Sequence, residues 1–120
     1  MRLVAILGGI LGLWAGPGAA LAQTFDKPIK IMAPYAPGGN IDVTARIIAD
    51  KLREVTGTTV IVENKAGASG MIGSDIVARS APDGTSLLVS ANSLVAVPAI
   101  YGNAPYDWRT AFTPITHIQR

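Results

Sequence analysis

A parallel α/β sheet in the order β-α-β-α-β is the architecture expected of this 120-residue chain. Three observations carry that expectation. Short apolar runs recur at Ile29 to Ala33, Thr59 to Val62 and Ser86 to Ser90. Between the first two, Ile41, Ala45, Ile48, Leu52 and Val55 fall at steps of 4, 3, 4 and 3, one apolar stripe of an α-helix. A glycine-rich loop follows each of the first two runs, and strands alternating with helices over short connections imply parallel pairing with right-handed crossovers.

The first 22 residues are set apart from that fold. Arg2 supplies a basic start, Leu3 to Trp14 is an apolar stretch too short to span a bilayer, and Ala20-Leu21-Ala22 is a small-x-small cleavage pattern. This is the layout of an export signal cut after Ala22, so the mature chain is expected to begin at Gln23. The absence of cysteine excludes disulfides and lipid attachment through a thiol. An exported, cysteine-free chain suits a bacterial periplasm.

The mature elements read in order. Ile29 to Ala33 is a short buried strand framed by Pro28 and Pro34. The helix after it has Asn40 as expected N-cap and Gly57 where a left-handed C-terminal residue belongs. Thr59 to Val62 has the uninterrupted β-branched pattern of a strand buried on both faces. Met71 to Ser80 is a shorter helix with Ile72, Ile76 and Val77 inward, Pro82-Asp83-Gly84 a turn, and Ser86 to Ser90 the third strand. Beyond Ser93 the pattern weakens. Leu94 to Tyr101 reads as a short helix interrupted by Pro98, Tyr106 to Arg109 as a turn or helix start, and Ile115 to Ile118 as the beginning of another strand. Three parallel strands with bare edges make a poor complete domain, so a piece of a longer protein is expected.

Parallel sheets bind ligands outside the carboxyl ends of their strands. The loops Pro34 to Asp42, Asn64 to Gly73 and Ala91 to Ser93 all lie there, on one rim. A glycine turn opening a helix offers backbone N–H groups and the positive end of a helix dipole to an anion, without a charged side chain. Gly38 and Gly39 are read as allowing positive φ, with their N–H groups and that of Asn40 facing a ligand; a tight turn with no ligand is the competing reading. Asp42 is expected to support the loop by accepting backbone N–H bonds. Tyr35 is a wall or hydroxyl contact, or a half-buried surface tyrosine. Ala68, Ser69 and Gly70 form the second cradle, with Ser69 also a candidate N-cap. Ser90, Asn92 and Ser93 are candidates by position. Lys65 is either an anion-steering charge or solvated surface.

Composition excludes several classes. The net charge is +2, and the mature part carries nine basic against eight acidic residues with no basic cluster, so nothing favours nucleic acid. Neither loop is G-x-G-x-x-G, against a dinucleotide enzyme. There is no G-x-S-x-G elbow, and the single histidine, His117, has no partner pattern, so neither a hydrolase nor a metal site is expected.

At these residues the chain resembles the Bug (TctC-like) family, the periplasmic solute-binding proteins of tripartite tricarboxylate transporters. Lys27-Pro28-Ile29 with Pro34-Tyr35-Ala36-Pro37-Gly38-Gly39-x-x-Asp42 looks like the family's opening strand and first ligand loop. Val62-Glu63-Asn64-Lys65-x-Gly67-Ala68-x-Gly70-x-Ile72-Gly73 looks like its second. Ala81-Pro82-Asp83-Gly84-x-x-Leu87-Leu88, Pro105-Tyr106-Asp107 and Phe112-x-Pro114-Ile115 follow in order. The resemblance runs from Lys27 to about Ile118. Two positions depart from the pattern: Ile41 stands where a small hydroxyl residue is frequent, and Ala111 where an acidic one is common.

The resemblance implies a two-lobed, type II periplasmic-binding-protein-like fold closing on its ligand like a hinge. This chain would supply most of the first lobe over residues 23–114, with 115–120 starting the crossover to a second. It implies a monomeric, non-enzymatic receptor without cofactor. The ligand would be a small carboxylate (a di- or tricarboxylate, an acidic amino acid or an aromatic acid), bound largely through backbone amides and ordered water. The receptor would deliver that ligand to membrane permease subunits. Signalling to a membrane sensor kinase is the alternative role. Trp108 and Tyr106 are expected in packing between lobes, and His117 at the crossover.

Overall fold

The computed structural model describes residues 25–118. The export signal and its cleavage after Ala22 lie outside the described residues. The elements are β1 (Ile29–Ala33), α1 (Asn40–Thr56), β2 (Val60–Asn64), a short 3-10 turn (Ala68–Gly70), α2 (Met71–Ala78), β3 (Ser86–Leu88) and α3 (Ser93–Tyr101). The three described strands form one sheet in the order β2-β1-β3, with both pairings parallel. Ile29 stands opposite Val60 and Ala33 opposite Asn64, while Lys30 faces Ser86 on the other side.

β1 is therefore central. The chain moves from β1 to β2 in one direction, then crosses back over β1 to reach β3. Right-handed crossovers in opposite directions put α1 and α2 on opposite faces, and the reversal opens a crevice at the carboxyl ends of β1 and β3. The side chains follow the two-residue period of the strands. Ile29, Ile31 and Ala33 pack with Val60, Val89 and the α1 residues Ala45 and Ala49, and Ile41, Ile48 and Leu52 close over them. Ile31 is fully buried, worth about 2–3 kcal/mol as transferred apolar surface. Lys30 and Met32 line the opposite face with Ile61, Glu63, Ile76 and Val77.

Several expectations need correction. The last stripe residue of α1, Val55, is 71% exposed. At 3.6 residues per turn it lies about 80° from the direction of Ala45, too far round to reach the sheet, and Ala49 takes an inward position instead. The second strand is not buried on both faces: Ile61 is exposed, because α1 covers one side of β2 and α2 lies over β1 and β3. β3 ends at Leu88, although the N–H of Val89 still bonds Met32 O at 3.0 Å. Ile115 to Ile118 form no strand, and Ile115 and Ile118 are exposed.

α2 departs most. Ile72 and Ile76 are left 50% and 42% exposed, and Gly73 and Ser74 are the buried residues. Closeness of approach sets this contact: a Cβ on Gly73 would lie 2.7 Å from Pro34 Cβ and 3.0 Å from the Lys65 carbonyl oxygen. A hydrophobic stripe cannot compete where only a bare backbone fits.

α3 carries Pro98 in its interior. Proline has no N–H, so the carbonyl four residues earlier, on Leu94, loses its helical donor. The Tyr106 hydroxyl approaches that oxygen at 3.5 Å. Tyr106 is buried, and its ring meets Phe112 edge-on at 5.4 Å. Tyr106 thus packs inside this unit rather than serving as an exposed contact between lobes. Burial raises its phenol pKa above the usual value.

Candidate functional site

The β1–α1 loop is held from inside. α1 begins at Asn40, and its N-cap is Gly39 with extended backbone, φ −75°, not Asn40 as the sequence suggests. Gly38 sits at φ +82° and needs glycine; Gly39 does not need it for its conformation. The N–H of Gly38 donates to Asp42 Oδ2 at 2.8 Å, and that of Gly39 approaches Ala36 O at 3.4 Å. The Gly38 amide therefore faces Asp42, where the sequence reading had it face a ligand. Ile41 packs on the core.

Asp42 is 3% exposed and fully partnered. Besides Gly38 it accepts from Arg46 Nε at 3.1 Å and from Asn64 Nδ2 at 3.0 Å, and Arg46 Nη2 lies 3.0 Å from its second oxygen. The Gly38 amide first, then Arg46 and Asn64, hold its carboxyl pKa down at about 2 against a burial penalty. It is a charged pin, not a group free for a ligand. Asn64, the last residue of β2, extends the network: its amide also donates to Tyr35 O at 3.2 Å, and its oxygen accepts from Arg46 Nη2 at 3.3 Å. Asn64 and Arg46 were absent from the sequence-derived set. The i,i+4 spacing of Asp42 and Arg46 was a usable signal for one of them; Asn64 depended on where β2 ends.

The β2–α2 loop is the strained segment. Gly67, Ala68, Ser69 and Gly70 all have positive φ, at 141°, 46°, 54° and 93°. Left-handed backbone is costly for alanine and serine, about 1–2 kcal/mol each, and such strain concentrates at functional sites. The turn is closed by Gly70 N to Gly67 O at 3.0 Å. Among the described residues, the N–H groups of Ala68 and Ser69 have no acceptor outside the turn. Both residues are exposed. Successive N–H groups in a turn form a nest suited to an anion. Ser69 does not cap α2, whose N-cap is Gly70.

The β3–α3 loop completes the rim. Asn92 is the N-cap of α3 in helical backbone and makes no side-chain cap. Ser93 shares a hydrogen bond with the Tyr35 hydroxyl. Ser90 Oγ is buried with no hydrogen-bond partner among the described residues. The Tyr35 ring lies over Gly70, whose Cβ would stand 3.2 Å from Cζ and Oη. Lys65 N bonds Ala33 O at 3.1 Å, so the ends of β1 and β2 stay paired into the loops. The structure thus brings Tyr35, Gly38, Gly39, Asn40, Asp42, Ala68, Ser69, Gly70, Ser90, Asn92 and Ser93 to one end of the sheet. None of the three helices starting there, α1, α2 and α3, is capped by its N-cap side chain. Their dipoles add at the rim, favouring negative charge. Among the described residues no three His, Cys, Asp or Glu side chains gather as a metal site.

Residues 44–120 match the family model described as tripartite tricarboxylate transporter family receptor. The protein BugT of Bordetella pertussis is 35% identical over 120 residues, which is 98% of this chain and 37% of BugT. The solved structure of the periplasmic binding protein BugD superposes with TM-score 0.71 at 42% identity, over 75% of this chain and 30% of BugD. MatC from Rhodopseudomonas palustris, solved with bound malate, gives TM-score 0.69 at 32% identity, over 75% of this chain and 31% of MatC. The chain spans about a third of the length of these relatives.

Proposed function

The chain belongs to the tripartite tricarboxylate transporter receptors, the TctC or Bug family of non-enzymatic periplasmic binding proteins, and from that premise we infer that it forms one wall of a carboxylate site. The observation that carries this reading is the left-handed turn Gly67 to Gly70, with the amides of Ala68 and Ser69 unengaged outside it at a rim where three uncapped helices start. Backbone dipoles stabilise an anion without salt-bridge partners, and they orient it because they are rigid.

In this reading a di- or tricarboxylate, an acidic amino acid or an aromatic acid places one carboxylate against the Ala68–Ser69 nest. Gly39, Asn40, Ser90 and Asn92 contact the remainder, directly or through water. Malate bound to the relative MatC supports the ligand class. Asp42 holds the first loop and keeps clear of the ligand, since its charge would repel an anion. A second lobe, reached after residues 115–120, closes over the ligand, and the loaded receptor docks on the permease subunits of a tripartite transporter. The export signal carries the chain to the periplasm and is cleaved after Ala22.

Thermal stabilisation by a panel of carboxylates, with the matching amides as controls, tests the reading. Carboxylates are expected to raise the unfolding temperature of the intact protein and the amides to leave it unchanged; equal stabilisation by both would sink the anion cradle.

A further inference from the structure

Tyr35 is held at three points that belong to three different parts of the rim. Its carbonyl accepts from Asn64 at the end of β2. Its ring covers Gly70 at the close of the left-handed turn. Its hydroxyl bonds Ser93, the first residue of α3. The side chain is half-buried, and Pro34 immediately before it is buried against Gly73. The base of the side chain is therefore anchored in the packed layer between β1 and α2, and its tip reaches the third loop.

We propose that Tyr35 is a positioning residue, a strut whose hydroxyl bond to Ser93 sets the separation between the Gly67–Gly70 turn and the start of α3, and so the length of diacid the site accepts. The size-selecting part rests on the carboxylate reading above. Three features make a strut of what would otherwise be a wall residue. The ring occupies the space beside the turn that a side chain on residue 70 would need, since a Cβ there would stand 3.2 Å from the ring's Cζ and Oη. It cannot retreat, because its backbone is tied to Asn64, which is itself tied to Asp42. The hydroxyl then fixes Ser93, and with it the first turn of α3, where Leu94 N bonds Ala91 O at 3.1 Å and Val95 N bonds Asn92 O at 3.1 Å. Phenylalanine at this position would keep the ring on Gly70 and lose only the tie.

The test compares wild type, Tyr35→Phe, Ser93→Ala and the double variant in the intact protein, with two readouts. Amide hydrogen exchange without ligand reads the strut itself. Both single variants are expected to speed exchange at the hydrogen-bonded amides of Gly70 and of residues 94–96, with the unfolding temperature nearly unchanged. Titration with succinate and adipate, the same two carboxylates at two lengths, reads the site. Each single variant is expected to shift the ratio of the two affinities by about three- to tenfold, the scale of one hydrogen bond, and the double variant by no more than a single one. Exchange unchanged in Tyr35→Phe, or single effects that add in the double variant, would overturn the strut. A wild-type protein that binds neither diacid would overturn the length selection; the carboxylate panel decides the carboxylate reading and the exchange comparison decides the strut, so the failures are read separately.

Discussion

The backbone N–H of Gly38 ends on the carboxylate of Asp42, 2.8 Å away. This one bond folds the first glycine loop back onto its own helix, and Arg46 and Asn64 hold the carboxylate in place for it. The loop is thereby organised before any ligand arrives, which lowers the entropy lost on binding.

Asp42 titrates abnormally low, at about 2 against an ordinary 3.8, so between those values the unfolded chain binds more protons than the folded one. Its contribution to stability is complete above about pH 4 and is lost as pH falls through about 2. Asp42→Asn should flatten the pH dependence of the unligated unfolding temperature between pH 4 and 2. Asp83, also lowered by its Thr85 bonds, should leave a residual slope in both proteins. An unchanged slope would show that the Asp42 network is not formed in solution.

The two glycines of the first loop should separate in mutagenesis. Gly38→Ala forces a side chain into φ +82° and should cost about 1–2 kcal/mol of stability. Gly39→Ala meets only Ala36 O at 3.4 Å in an ordinary conformation, so it should cost under about 1 kcal/mol as an N-cap change. If Gly39 is exposed to let a ligand approach, Gly39→Ala should weaken binding of the carboxylate that best stabilises the protein severalfold, measured by calorimetric titration on a folded variant. Undiminished affinity would remove Gly39 from the site.

Gly73→Ala should be among the most damaging single-methyl substitutions in the chain. Its Cβ would stand 2.7 Å from Pro34 Cβ and 2.9 Å from Pro34 Cα. Backbone must move to admit it, at about 1–3 kcal/mol. The displacement separates β1 from α2, so both stability by denaturant titration and ligand affinity should fall. A neutral result would mean that α2 stands further from β1 than described.

Lys65 follows β2 directly and makes no ion pair among the described residues, whereas Arg46 is committed to Asp42. An exposed rim charge acts on the encounter more than on the bound state. Lys65→Gln should slow association of the stabilising carboxylate severalfold at low salt in stopped-flow measurements, with the dissociation rate unchanged. The difference should vanish as ionic strength rises. A change confined to dissociation would make Lys65 a direct contact.

Much of this molecule was legible in local pattern. The strand at Ile29 to Ala33, the helix ending at Gly57 in left-handed backbone, and the placing of three loops on one rim each depend on periodicity and turn chemistry within a few residues. The role of Asp42 was legible too, because it sits one turn from both Gly38 and Arg46. The inward face of α2 was not: Ile72 and Ile76 make the more apolar stripe, yet Gly73 and Ser74 are buried. Hydrophobicity records what a residue gains by burial, not how near the neighbouring backbone comes.

The sequence by itself determined the order of the elements and the end of the sheet at which the glycine loops gather, because both follow from short-range periodicity and from the handedness of crossovers. Tertiary structure decided which groups are left for a ligand. Gly38 spends its amide on Asp42, Tyr35 spends its hydroxyl on Ser93, and Asn64 joins them. Tyr35 with Ser93, Asp42 with Asn64, and Pro34 with Gly73 lie 58, 22 and 39 residues apart in the chain. Hydrogen bonds and close contacts discriminate over tenths of an ångström, and no local pattern carries a distance between segments that far apart.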